Sequence, residues 1–199
     1  RILQKLTGLI AAQAEVIKNN LIIISHLDVI SASARFSLDF ECSQPVMNEK
    51  ALIDLKQARH PLLKNEPVPI DVQVGDEIST LVITGPNTGG KTVALKTIGL
   101  LTLMAQTGLH IPAEASSTLP VFAEIFADIG DEQSIEQNLS TFSSHMNKIK
   151  EFLHSAGDRT LVLMDELGVG TDPEEGAALG IYIIKKIKKK NAVTVATTH

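Results

Sequence analysis

The sequence predicts an α/β fold, a mixed but mostly parallel sheet flanked by helices. Short apolar runs of the strand type alternate along the chain with segments of helical periodicity. The run Leu161–Met164 is continuously apolar, which is typical of a parallel strand buried on both faces. The 199 residues, of which 44% are apolar, suffice for one core and a small second lobe.

The chain opens with a predicted helix over residues 1–34, whose apolar side chains recur at helical spacing. Because no capping residue precedes it, we expect this helix to be the end of a longer one that continues upstream. The strand-like run 192–197 stops abruptly before His199. We therefore expect a chain cut at both ends, with the main domain over residues 35–199.

The remaining elements follow from alternation, turn residues and helical periodicity. Strands are predicted at residues 51–57, 70–74, 81–84, 121–127 and 160–164. A turn is expected at 75–77, and helices are predicted from Val93 to about Gly108 and over residues 141–155 and 173–189.

A phosphate-binding loop is the clearest chemical signal in the chain. The pattern G-x-x-x-x-G-K-[ST] is matched between a predicted strand and a predicted helix, by Gly85, Pro86, Asn87, Thr88, Gly89, Gly90, Lys91 and Thr92. Small residues let backbone N–H groups surround phosphate oxygens at the helix N-terminus. Lys91 would reach the β- and γ-phosphates, and the Thr92 hydroxyl would bind Mg²⁺. The sequence therefore predicts binding of a nucleoside triphosphate.

Two adjacent carboxylates, Asp165 and Glu166, end the apolar run at 161–164. Ligands of open α/β sheets bind at the carboxyl ends of the strands, so Asp165 is placed to hold Mg²⁺. Glu166 would orient and deprotonate the attacking water. Two acids after a strand are common, and the prediction gains its weight from the phosphate loop.

Two further segments have both a structural and a functional interpretation. Ser140 fits a helix N-cap, as does Thr141, and a helix N-terminus is also an anion site. The segment 168–172 is glycine-rich and allows a sharp turn, in which Thr171 or Asp172 would cap the next helix. His199 would be able to hydrogen-bond a γ-phosphate from the end of its strand.

Composition sets looser limits. The net charge of −5 does not suggest a broad nucleic-acid surface, and we interpret the lysine-rich run 185–190 as a solvated helix end. The single cysteine, Cys42, excludes an internal disulfide and fits a reducing compartment. The longest apolar run, Leu21–Ile24, is too short to span a bilayer. We expect a soluble intracellular protein with no membrane partner.

Taken in order, these segments resemble the ATPase domain of the MutS family, within the ABC-type P-loop NTPases. Five motifs carry the resemblance: GPNTGGKT as Walker A, NLSTFSSHM as the signature helix, LVLMDE as Walker B, GVGTDPEEG as the D-loop and TTH as the switch histidine. The segment 57–63 is similar to the R-H-P segment of the family. The resemblance covers roughly residues 25–199.

Details of the motifs favour one branch of that family. Mismatch-repair members generally have methionine where Thr88 stands, serine-threonine where this chain has Thr92-Val93, and a different D-loop from 168–173. The chain is thus most similar to the bacterial paralogue branch "MutS-two". That branch is associated with suppression of recombination, with a C-terminal Smr nuclease domain and, in some bacteria, with rescue of collided ribosomes.

The resemblance also implies partners and roles. Two domains would form a head-to-tail homodimer with composite ATP sites, in which Ser140 reaches the γ-phosphate in trans and His199 senses that phosphate. Lys91 and Glu166 would be catalytic in cis. Val68 and Pro69 would pack on the adenine. The helix at 1–34 would be the base of a lever.

The predicted activity is hydrolysis of ATP to ADP and phosphate with Mg²⁺, in the bacterial cytosol or nucleoid. Double-stranded or branched DNA, or a ribosome, would be bound by domains missing from this chain, and endonuclease activity would lie there too. Two alternatives stay open: the ATPase domain of a mismatch-repair MutS protein, and a nucleotide-gated interaction module with little hydrolysis. A transporter-type ATPase is disfavoured because the L-S-G-G-Q signature is absent from the sequence.

Overall fold

The computed structural model describes residues 1–63, 67–86, 89–130 and 138–198, with the backbone alone over 138–144. The predictions made for Asn87, Thr88 and His199, and for the side chain of Ser140, lie outside the described residues. Contacts divide the chain into two units, Arg1–Glu41 and Cys42–His199.

The first unit consists of two helices, α1 (Ile2–Ala11) and α2 (Ala14–Asp39). The single helix predicted over residues 1–34 is therefore interrupted, and its second part continues further than expected. At the interruption the N–H of Gln13 bonds to the carbonyl of Ile10, which tightens the last turn of α1. The carbonyl of Gln13 then accepts the N–H of Ile17, and α2 begins.

Helix α2 is long and apolar. It has 26 residues, and its most apolar stretch has a mean hydropathy of 1.4, so by length and composition it could cross a membrane. The sequence expectation considered only the uninterrupted run Leu21–Ile24 and missed this. One such helix does not identify a membrane span, because core helices of soluble proteins and signal sequences meet the same criterion of length and composition.

The second unit alternates strands with helices. In chain order it contains β1 (Val46–Asn48), β2 (Ile53–Ala58), β3 (Ile70–Val74), β4 (Thr80–Thr84), α3 (Lys91–Gln106), β5 (Thr118–Pro120), β6 (Glu124–Asp128), α4 (Asn138–Ser155), β7 (Thr160–Met164), α5 (Pro173–Lys188) and β8 (Val193–Thr198). The predicted α/β class is confirmed.

These strands form two sheets rather than the single mixed sheet expected. One sheet has the order β4–β8–β7–β6, and all its described pairings are parallel. The other has the order β1–β5–β2–β3, with β1 parallel to β5 and β2 antiparallel to both neighbours.

The strand predicted at 121–127 is wrong in its first half. Strand β5 ends at Pro120, and β6 begins only at Glu124. Between them the Gln106 side chain accepts the N–H of Phe122 at 2.9 Å and donates to its carbonyl at 3.2 Å. Since a side chain occupies both backbone groups of Phe122, this residue is not available to a strand ladder.

The parallel sheet is covered on both faces. Strand β7 is buried throughout, as its apolar run predicts. Val162 and Met164 pack in one cluster with apolar side chains of α4 and α5. On the other face Gly99 of α3 lies so close to Leu163 that an added Cβ would be 2.5 Å from its Cδ1. This packing fixes the carboxyl ends of β4, β8 and β7 along one edge.

Candidate nucleotide-binding site

The phosphate loop connects β4 to α3 through three glycines. Gly85 has φ 136° and Gly90 has φ 75°, both in the region that favours glycine. The N–H of Gly89 donates to the carbonyl of Pro86 at 3.0 Å, and Gly90 caps α3. Within the described residues, a Cβ added at any of these glycines would meet nothing within 4 Å. These three glycines therefore border open space.

Lys91 is the first residue of α3 and is only 6% exposed. Its Nζ donates to the carbonyl of Gly85 and, at 3.0 Å, to the carbonyl of Thr198 at the end of β8. The ammonium thus joins the loop to the neighbouring strand. Thr92, the next residue, is partly buried in the first turn of α3.

The two carboxylates follow β7, and Asp165 lies at the carboxyl edge of the sheet as predicted. The N–H of Asp165 bonds to the carbonyl of Asp128 at 2.9 Å. On the other side its Oδ1 accepts the Thr197 hydroxyl at 2.5 Å. The N–H of Glu166 donates to the same hydroxyl at 2.8 Å, and Glu166 has φ 50°, which is uncommon for a residue with a side chain.

A buried carboxylate beside these acids was missed from the sequence. Asp128 ends β6 and is 3% exposed. It lies 2.5 Å from Nδ1 of His145 and accepts from Nζ of Lys148 at 2.9 Å. Both partners belong to α4, so the carboxylate ties that helix to the sheet edge. The sequence signal would have been an acid that ends a strand, followed by a His and a Lys on one helix face.

Helix α4 begins earlier than predicted. It starts at Asn138, which places Ser140 and Thr141 in its first turn rather than at the N-cap. The capping assignment for these two residues is therefore wrong.

The turn before α5 is as predicted. The Asp172 carboxylate accepts the N–H groups of Glu174 at 3.0 Å and Glu175 at 3.4 Å, and Pro173 occupies the first turn. Gly168 has φ 86°, and a Cβ at Gly176 would be only 2.1 Å from its carbonyl oxygen. Close backbone contact thus holds the glycine-rich turn against α5.

The residues proposed to contact the adenine lead into the second sheet. Val68 and Pro69 are exposed and directly precede β3, in the second sheet. In the R-H-P segment, the N–H of Arg59 bonds to the carbonyl of Pro112 at 2.9 Å. Burial lowers the pKa of His60, and the positive charge of Lys96 lowers it further.

The donor groups suit a magnesium ion that arrives with a nucleotide. Thr92 offers a hydroxyl and Asp165 a carboxylate, and Mg²⁺ prefers oxygen ligands. Among the residues that the structure describes, no three His, Cys, Asp or Glu side chains are grouped to hold a metal. One hydroxyl and one carboxylate suit Mg²⁺, which is commonly bound through one or two protein oxygens together with phosphates and water.

Comparisons with known proteins agree with the motifs. The family model described as MutS domain V matches residues 81–199. A protein named Endonuclease MutS2 from Halothermothrix orenii is 58% identical over 199 residues, covering 100% of this chain and 25% of that protein. Endonuclease MutS2 from Pelotomaculum thermopropionicum is 57% identical over 199 residues, again 100% of this chain and 25% of the relative. The one from Geobacillus sp. is 56% identical over 200 residues, with 100% and 26% covered. The chain spans about a quarter of the length of these curated relatives.

Proposed function

The chain belongs to the MutS2 branch of the MutS family and contains its ATPase domain, and from this premise we propose that it is the ATP-hydrolysing motor through which a MutS2-type protein dimerises. One observation carries the proposal. Lys91, at the end of the loop that follows β4, bonds to Thr198 of β8. On the other side of β8, Asp165 and Glu166 follow β7 and both bond to Thr197. Cation, loop and acids thus surround one sheet edge.

Binding of ATP would begin with exchange of hydrogen bonds at Lys91. Its ammonium now donates to the carbonyls of Gly85 and Thr198. The β- and γ-phosphates are stronger acceptors because they are charged, so Lys91 would transfer to them. The N–H groups around Gly89 and Gly90 would hold the same phosphates at the N-terminus of α3.

Hydrolysis also requires a bound metal ion and a general base beside those phosphates. Thr92 and Asp165 would hold Mg²⁺, which neutralises the charge that develops on the phosphate oxygens. Glu166 would accept a proton from the attacking water. It is exposed and follows Asp165 at the carboxyl edge of the sheet, where a water and the γ-phosphate would both have access.

The dimer is proposed from the family resemblance. Ser140, in the first turn of α4, would contact the γ-phosphate of the opposite subunit, where the helix N-terminus favours an anion. His199, the residue after β8, would contact the γ-phosphate in its own subunit. Val68 and Pro69 would pack on the adenine, and their exposure leaves them free for such contact.

The whole protein is proposed to act in the bacterial cytosol or nucleoid. ATP-driven closure of the dimer would move α2 as a lever and so act on double-stranded or branched DNA, in suppression of recombination, or on a ribosome. Binding of these targets would reside in domains that this chain does not contain. We assign the endonuclease activity in the relatives' names to those parts as well.

Steady-state ATPase activity of the full-length protein, measured against protein concentration, tests the proposal. A composite site predicts a specific activity that rises with concentration until the dimer is saturated. Glu166→Gln should retain ATP binding, accumulate a nucleotide-bound dimer and lower kcat by about 100-fold or more. Glu124→Gln is the matched control, because this exposed glutamate is the first residue of β6 and so lies at the amino ends of the strands, away from the carboxyl ends where the site is.

Two results would contradict the proposal in different ways. Normal hydrolysis by Glu166→Gln would show that another group is the base. Specific activity independent of concentration, from a protein shown to be monomeric by light scattering, would exclude the composite site.

A further inference from the structure

Thr197 lies between the two carboxylates of the site and bonds to both residues. It is completely buried on β8. Its hydroxyl lies 2.5 Å from Oδ1 of Asp165 and 2.8 Å from the backbone nitrogen of Glu166. Its carbonyl accepts the N–H of Leu167 at 2.8 Å. One residue of β8 therefore holds three consecutive residues beyond β7.

The direction of these hydrogen bonds is fixed by chemistry. A backbone N–H can only donate, so the Thr197 oxygen accepts from Glu166. The single hydroxyl hydrogen then goes to Asp165, whose ionised carboxylate is an acceptor. The hydroxyl thereby fixes one oxygen of Asp165 and leaves the other for a cation.

The same hydroxyl also supports an uncommon backbone conformation. Glu166 has φ 50°, a region that residues with side chains seldom adopt without support from their surroundings. Its N–H is held by the Thr197 oxygen. The direction in which the Glu166 side chain leaves the backbone thus depends on Thr197.

A second threonine on the same strand shows that burial alone does not produce this arrangement. Thr194 is as fully buried as Thr197. Within the described part of the chain, its hydroxyl has no hydrogen-bond partner. Thr194 pairs in register with Val162, inside the sheet, whereas Thr197 is one residue past the last β7 pair, Met164 with Ala196. The hydroxyl that is bonded is thus the one beyond the end of β7, where the acids begin.

We propose that Thr197 is a positioning residue for ATP hydrolysis, which orients Asp165 toward Mg²⁺ and Glu166 toward the attacking water. This inference rests on the proposed function and adds to it a residue that touches neither nucleotide nor metal. It predicts that the hydroxyl, rather than the volume of the side chain, determines how well Mg²⁺ supports nucleotide binding.

The test compares Thr197→Ser with Thr197→Ala in the full-length protein, because these two variants differ only in the hydroxyl. Affinity for a fluorescent ATP analogue is measured in EDTA and across a Mg²⁺ titration, and kcat and KM are measured separately. Thr197→Ala should bind the analogue normally in EDTA. It should require about 10-fold more Mg²⁺ for half-maximal binding, because loss of a side chain that hydrogen-bonds to a metal ligand typically lowers metal affinity by at least this factor. Its kcat should fall by about 10- to 100-fold. Thr197→Ser should have nearly the same Mg²⁺ requirement and kcat as the wild-type protein.

Thr194→Val is the control for altered packing on β8 and should leave both measurements unchanged. Thr197→Val, which keeps the side-chain volume, is the second hydroxyl-free variant and should match Thr197→Ala. Equal Mg²⁺ requirement and kcat in the Ser and Ala variants would overturn the inference. So would failure of both hydroxyl-free variants to fold, because the hydroxyl would then serve the fold itself. Failure of the proposed function would look different: the unchanged protein itself would not bind the analogue or would not hydrolyse ATP.

Discussion

The Nζ of Lys91 lies 3.0 Å from the carbonyl oxygen of Thr198. This bond connects the loop that would hold phosphates to the last described residue of β8, beside the position of His199. The carbonyl of Gly85 is the second acceptor of the same ammonium. Lys91 therefore donates to two backbone oxygens at the sheet edge and joins the loop to β8.

Replacement of Lys91 should weaken both ATP binding and the folded state. Lys91→Met should reduce ATP affinity by about 100-fold or more, because the phosphates lose a charge-assisted bond. It should lower the free energy of unfolding without nucleotide by about 2 kcal/mol, since two carbonyls lose a charged donor. Nucleotide titration and urea denaturation measure these effects. Lys150→Met, at an exposed position of α4, is the control and should change neither; unchanged ATP affinity in Lys91→Met would contradict the assignment of the loop.

The carboxylate of Asp128 should stabilise the domain through α4. Asp128→Asn keeps the shape but weakens the bonds to His145 and Lys148, so the free energy of unfolding should fall by about 2 kcal/mol. Urea denaturation measures the loss. Asp158→Asn is the control: this exposed carboxylate accepts one bond from Asn191, and its loss should cost less than about 1 kcal/mol. Equal losses of stability at the two positions would show that the bonds from Asp128 to α4 do not stabilise the domain more than an exposed hydrogen bond does.

Local patterns were enough to predict much of the fold and the centre of the site. The strand at 160–164 was predicted correctly, and Asp172 is one of the two N-cap candidates that the sequence offered, because each feature depends on neighbouring residues alone. The motif at 85–92 was recognised for the same reason, and the structure adds that its glycines border open space.

Contacts between distant residues could not be predicted in this way. Gln106 keeps the first residues of the predicted strand at 121–127 out of the sheet through its bonds to Phe122, and neighbouring residues alone do not reveal this contact. Thr197 was placed only in a strand and in the TTH motif, and its bond to Asp165 was missed because it joins residues 32 positions apart. The split into two sheets also depends on pairings between strands far apart in the chain, such as β1 with β5.

The contact between Gly168 and Gly176 should tolerate no side chain. In Gly176→Ala the new Cβ would lie 2.1 Å from the Gly168 oxygen, so either the turn or α5 must move. We expect a loss of about 2–3 kcal/mol in the free energy of unfolding, measured in urea. Gly180→Ala on the same helix is the control, because its Cβ would meet Leu167 at 3.4 Å, an ordinary contact, and alanine favours a helix. Similar stability of the two variants would contradict the close backbone contact.

The thiol of Cys42 should react slowly although the side chain is not fully buried. Burial raises its pKa to about 11 from 9.0, and the positive charge of Arg59 offsets only part of this. A shift of that size lowers the thiolate fraction at pH 8 by about 100-fold, and the thiolate is the reactive form. Alkylation by iodoacetamide at pH 8 should therefore be about 100-fold slower in the folded chain than in urea, and its rate should increase about tenfold per pH unit up to pH 10. Because Cys42 is the single cysteine of these 199 residues, mass spectrometry of its peptide follows one site. Alkylation at the same rate in buffer and in urea would show that the thiol is not desolvated.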